Sequence, residues 1–74
     1  MSKAGDLLID AALAEAKGAL AVHRANIEVY RTMPAGIGEH SDVTEAVIEE
    51  LNKMASAQDR IDMIDKYFKT KEIL

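Results

Sequence analysis

The chain has 74 residues, a formal net charge of −4 and no cysteine. This length allows one domain at most, and the lack of cysteine excludes disulfides, thiolate zinc sites and thiol nucleophiles. Acidic and basic residues are mixed along the chain, so it offers no concentrated basic surface for nucleic acid. Asp10, Glu15 and Lys17 interrupt the apolar stretch 7–22, which excludes a membrane span there and predicts a cytoplasmic protein.

The first predicted element is a long helix over about residues 6–32. Strong helix formers dominate this segment, which contains no proline and a single glycine, Gly18. Asp6 and Asp10 at its start and Arg31 near its end match the helix dipole at both ends. One face carries residues spaced alternately by three and four, the heptad pattern of a packed helix seam: Ile9, Leu13, Ala16, Leu20, His23, Ile27 and Tyr30.

The opposite face of this helix carries a second stripe with the same spacing, made almost entirely of alanine and glycine. Its members are Ala4, Leu7, Ala11, Ala14, Gly18, Ala21 and Ala25. One interpretation is that alanine is simply the best helix former. The other is that small residues let a further helix approach closely, which would explain a glycine that costs about 1 kcal/mol relative to alanine. We favour the second and predict a dimer interface formed by Ala11, Ala14, Gly18, Ala21 and Ala25.

The segment 33–41 is predicted to be a loop, because Pro34 stops the first helix and Gly36 and Gly38 permit positive φ angles. Glu39, His40 and Asp42 could in principle bind a divalent metal. Neighbouring residues in a loop are a weak signal for such a site, and we predict neither a metal nor a cofactor.

The second predicted helix covers about residues 42–69. Asp42 with Glu45 forms a capping-box-like pair at its start, and Ser41 is an equally good cap. Its seam has the same three-and-four spacing: Val43, Val47, Glu50, Met54, Ala57, Ile61, Ile64 and Phe68. The opposite face is polar, which predicts an ordinary solvated surface.

The fold class predicted from these elements is all-α, an antiparallel two-helix hairpin that dimerises into a four-helix bundle. One register opposes Leu13 to Ile64 and Leu20 to Ala57, so that small residues face large ones in the middle layers. A single hairpin buries one seam only, which rarely offsets the conformational entropy of ordering the chain. We therefore expect a homodimer with the first helix at its centre.

His23 and Glu50 are the two polar residues on the apolar seams, and the same register brings them within about one helical turn of each other. They are predicted to form a buried polar pair that fixes the register of the hairpin. A pH-sensitive element is the alternative, because histidine titrates near neutrality. The inward Glu-x-x-His pairs of di-iron bundles are absent from the sequence, and no serine lies in a nucleophile-elbow motif. We predict that the chain is not an enzyme.

Two segments resemble small uncharacterised helical proteins encoded by tailed phages of marine cyanobacteria. They are Asn26-Ile27-Glu28-Val29-Tyr30 and Gly36-Ile37-Gly38-Glu39-His40-Ser41-Asp42, and the similarity extends loosely to Tyr67-Phe68, covering about residues 24–69. The resemblance implies an accessory phage protein made in the infected cytoplasm. It implies no activity and assigns no functional residue.

These observations lead to one principal functional hypothesis and two alternatives. The principal one is a non-enzymatic protein-interaction module, a homodimer that acts on a host or phage protein, with neither nucleic acid nor membrane as partner. The first alternative is a structural or assembly component of a virion. The second is a metal- or ligand-binding helical bundle built around His23 and Glu50 or around His40.

Overall fold

A computed structural model describes residues 3–32 and 40–69, without the side chains of residues 40–42. Two helices account for nearly all of this part, α1 (Lys3–Thr32) and α2 (His40–Tyr67), and no strand occurs among the described residues. The helices pack along each other as an antiparallel hairpin about 55 Å long and 19 by 15 Å across. The predicted all-α hairpin is therefore confirmed.

The helices begin slightly earlier than the sequence predicts. Helix α1 starts at Lys3, and α2 starts at His40, so Ser41 and Asp42 lie in the first turn of α2 and not before it. The first turn of a helix tolerates serine and aspartate because the N–H groups there have no partner within the helix, and because the positive end of the helix dipole favours acidic groups. The predicted loop residues 33–39, with Pro34 and both loop glycines, lie outside the described part of the chain.

The two predicted seams are the faces on which the helices meet. Every seam residue of α1 is at least partly shielded from solvent, and Ala16 is fully buried. In α2 the buried residues are Ala57, which has no exposed surface, and Ile61 and Ile64, each 8% exposed. Alanines at the closest approach let the helix backbones come together while isoleucines fill the neighbouring layers.

Phe68 is the one seam residue that the structure does not place in the interface, since 52% of it is exposed. The reason is that α2 ends at Tyr67. The carbonyl of Ile64 accepts hydrogen bonds from the N–H groups of both Phe68 (2.9 Å) and Lys69 (3.0 Å), which closes the helix. Beyond that turn the backbone no longer follows the helical path, so the heptad spacing stops predicting which side a residue occupies.

This hairpin has a thin core. Four small or aliphatic residues are buried, and no large side chain among the described residues is fully buried. The radius of gyration is 16.9 Å, whereas a compact domain of this length has one of about 11 Å. Most apolar side chains outside the seam therefore remain in contact with water.

Candidate interaction surface and polar cluster

A mainly apolar surface runs along the side of α1 that faces away from α2, with the polar residues Glu15 and Asn26 towards one edge, where both contact α2. We call this surface the outer face of α1. At 3.6 residues per turn its members fall within roughly 140° of the helix circumference, and all of them are exposed: Ala4, Leu7, Leu8, Ala11, Ala14, Gly18, Ala21, Val22, Ala25 and Val29. Its four large side chains, Leu7, Leu8, Val22 and Val29, are between 56% and 72% exposed. The outer face is therefore more apolar than the small-residue stripe predicted from the sequence, which did not include Leu8, Val22 and Val29.

The five residues predicted to form a dimer interface all lie on this outer face and are exposed in the hairpin. Gly18 is at the centre of the face. A Cβ atom added there would meet nothing within 4 Å. The hairpin therefore gives no packing reason for glycine at this position, although glycine costs about 1 kcal/mol relative to alanine inside an exposed helix.

The outer surface of α2 is less uniformly polar than predicted, because Ile48, Leu51, Met63 and Tyr67 are each about half exposed or more. Ile48 and Leu51 are one turn apart, and Met63 and Tyr67, also one turn apart, lie more than three turns further along the helix. Polar residues separate the two pairs, so they form no continuous stripe. Isolated apolar residues are normal on a protein surface, whereas a contiguous patch indicates an interaction site.

A small polar cluster lies across the seam, towards the loop end of the hairpin. The ionised carboxylate of Glu50 can only accept, so His23 Nδ1–H donates to Glu50 Oε1 at 2.7 Å. Asn26 Nδ2 donates to the same oxygen at 3.1 Å. The cluster is half-buried: the His23 side chain keeps 22% of its surface exposed and that of Glu50 keeps 15%. Asn26 is a member that the sequence pattern did not reveal, since it lies beside the seam and not on it.

The two donors change the acidity of Glu50. The hydrogen bond from Asn26, followed by that from His23, holds the pKa of this carboxyl below its ordinary value of 4.5, because both bonds favour the charged form. Near pH 4 the folded chain therefore binds fewer protons at Glu50 than the unfolded chain does. Folding stability contributed by this group is present above pH 4.5 and is lost as the pH falls through the lowered pKa.

Acid titration of unfolding tests this assignment. Wild-type protein should lose stability as the pH falls below 4.5, and Glu50→Gln should remove part of that loss, because the amide cannot titrate. Glu49→Gln is the matched control, with the same change one residue away on the exposed side of α2. Chemical denaturation followed by circular dichroism from pH 3 to pH 7 measures the difference. Equal pH dependence for the two variants would contradict the role given to Glu50.

Ion pairs across the hairpin agree with the antiparallel register. Near the open end, Lys69 Nζ lies 2.5 Å from Asp10 Oδ1, and this contact raises the pKa of Lys69. Halfway along, Arg60 Nη2 lies 3.4 Å from Glu15 Oε1. Both pairs are well exposed, so they help to set the register but add little to stability.

Two open grooves lie on the described part of the chain. A groove of about 230 Å³ beside the polar cluster is lined by Glu15, Ala19, His23, Lys53, Ser56 and Arg60. A second groove of about 390 Å³ is lined by Ser56, Asp59, Arg60, Met63 and Ile64. Both are open to solvent, unlike the concave sites that enclose most of a small ligand.

Within the described residues, no three His, Asp or Glu side chains come close enough together to hold a metal ion. The side chains of Glu39, His40 and Asp42, the candidate metal ligands of the loop, lie outside that part. No helix of the described chain is long and apolar enough to cross a membrane.

Comparison with known proteins identifies no relative. No protein-family model, curated protein or solved structure matches the chain. The resemblance to cyanobacterial phage proteins therefore stays a prediction from the sequence.

Proposed function

We propose that this chain is a non-enzymatic protein-interaction module that acts through the outer face of α1. The observation that carries the proposal is the exposure of four large apolar side chains on one side of a single helix, in line with a central glycine. Helical modules commonly bind partners by laying such a face against another helix or into a groove. The open grooves and the half-buried polar cluster would contact a small substrate much less extensively than the outer face would contact a partner helix.

The proposal predicts that probes on the outer face, and not elsewhere, reach another protein. A photo-crosslinking phenylalanine derivative would replace Val22 on the outer face or, as control, Asp59 on the far side of α2. Illumination of cells that produce the protein should give covalent protein adducts from position 22 only. Adding Gly18→Leu to the position 22 probe should remove these adducts, because the new side chain fills the centre of the face.

Two results would contradict this function. Adducts that form equally from positions 22 and 59 would show that the probes react through non-specific collisions and not through binding at the outer face. Adducts that persist in the presence of Gly18→Leu would show that the outer face does not bind through its centre.

A further inference from the structure

We infer that the outer face of α1 binds the same face of a second copy of this chain, in an antiparallel pair centred on Gly18. This inference rests on the proposed function and names the partner of the same surface. In the resulting assembly the two α1 helices lie in the middle and each α2 lies outside, since the outer face is opposite the seam. Four features of the hairpin support this pairing: its surface area, the symmetry of the face, the space at Gly18 and the charges beside it.

The hairpin has more surface than a compact monomer of its size. The chain exposes 5516 Å², whereas a compact monomer of its 8.1 kDa mass exposes about 4,500 Å². The excess of about 1,000 Å² exceeds the roughly 800 Å² that each partner buries in a standard stable interface. Summed over all its residues, the chain therefore has enough surplus surface to form a dimer of ordinary size.

The pattern of side chains on the outer face is partly symmetric about Gly18: three pairs of its members lie at equal distances from Gly18, whereas Ala4, Leu8 and Ala21 have Thr32, Glu28 and Glu15 at the mirrored positions. Leu7 and Val29 are each eleven residues from it, and Ala11 and Ala25 are each seven residues from it. An antiparallel two-fold arrangement places Leu7 level with the partner's Val29, and Ala11 level with the partner's Ala25. A surface that matches itself in this way is what an isologous interface requires, because each residue meets its counterpart twice.

The centre of the face has room for a second backbone. The hairpin leaves the region next to the Gly18 Cα atom empty, so a side chain there would clash with nothing in the monomer. At a two-fold axis the two Gly18 residues would meet, and the absence of side chains would let the helix backbones approach closely. Small residues on either side, such as Ala14 and Ala21, extend this close approach in both directions.

The charges beside the face suit an antiparallel pair. Arg24 lies next to the outer face and forms no ion pair within the described part of the chain, while Arg31 is bound to Glu28 at 2.9 Å. In the antiparallel register, Arg24 comes within one helical turn of the level of the partner's Asp10, on the same flank, where Asp10 is also bound to Lys69 of its own hairpin. Antiparallel helix dipoles also attract, whereas parallel ones repel. The register brings the two Lys17 residues to one level, but both are exposed, so solvent and salt screen them.

Single cysteine variants test this pair cleanly, because the chain has no cysteine of its own. Under mild oxidation a mixture of Ala11→Cys and Ala25→Cys, which the register places level and which differ little in size from alanine, should form a mixed disulfide dimer of twice the 8.1 kDa chain mass. At about 10 μM chain the reaction should be roughly a hundredfold faster than for the control Asp59→Cys, since a bound pair holds its thiols at an effective concentration near ~1 mM. Leu7→Cys and Val29→Cys should each crosslink poorly alone but form a mixed disulfide when combined.

The outcomes separate the possibilities. Rapid crosslinking of Leu7→Cys with itself would overturn the antiparallel arrangement in favour of a parallel one. Crosslinking of Ala11→Cys with Ala25→Cys no faster than that of Asp59→Cys would overturn the second copy as partner. The photo-crosslinking experiment then decides the proposed function separately: adducts of position 22 with a different protein would preserve that function, and a lack of adducts would remove it.

Discussion

Gly18→Leu is expected to weaken the dimer that we propose. Overpacking a tight contact costs about 1–3 kcal/mol, and the two-fold axis brings both new side chains into the same place. With 1.4 kcal/mol per factor of ten, the dissociation constant should rise by about tenfold or more. Sedimentation equilibrium over a range of concentrations measures this change.

The same substitution has the opposite effect if the outer face is only solvated. A side chain at position 18 meets nothing in the hairpin, and leucine is a better helix former than glycine by roughly 0.6–0.8 kcal/mol. A raised melting temperature with an unchanged dissociation constant would therefore show that no helix packs at Gly18. Asn52→Leu is the matched control, since it adds a leucine to the exposed side of α2 and should leave the dimer intact.

Ile61→Ala is expected to give one of the largest losses of stability among single truncations. Ile61 is 8% exposed and belongs to the small core of the hairpin. Removing a buried isoleucine side chain typically costs about 2–5 kcal/mol, and the thin core favours the lower half of that range. At about 4–8 °C per kcal/mol for a chain of this size, the melting temperature should fall by more than 8 °C.

Ile48→Ala provides the control for this prediction, because it makes the same change in the same helix at a residue that is 50% exposed. Its cost should stay well below that of Ile61→Ala, since less apolar surface returns to water and no cavity forms. Thermal unfolding followed by circular dichroism compares the two. Equal losses would mean that the seam of α2 does not form the core.

The hairpin was predictable because heptad spacing depends on helix geometry alone. Residues spaced by three and four positions must share one side of a helix, so the spacing by itself places Ala16, Ala57, Ile61 and Ile64 on the seams that form the core. The pattern failed at Phe68, where the helix ends. Helix ends depend on local hydrogen bonds such as those to the Ile64 carbonyl, which periodicity does not describe.

The polar cluster was only partly predictable. His23 and Glu50 stood out because they interrupt two apolar seams, and the structure places them in hydrogen-bond contact. Asn26 was missed because it lies beside the seam, where polar residues are common. Its position one turn after His23 was an available signal, since residues three apart are neighbours on a helix surface.

The outer face was predictable in position but not in extent. Alanine spacing identified the side of α1, yet the contributions of Val22 and Val29 follow only from their exposure compared with that of the seam. Sequence periodicity shows which residues share a face but not whether another chain covers it. That depends on the free energy of association, which the spacing of residues does not give.

Sedimentation equilibrium of the unaltered chain at micromolar concentrations is the most direct test of the central claim. This measurement reports mass independently of shape, which matters for a molecule 55 Å long and only 19 by 15 Å across. We expect a species with twice the 8.1 kDa mass of the chain. A single 8.1 kDa species at every concentration would contradict the pairing of two copies through the outer face of α1.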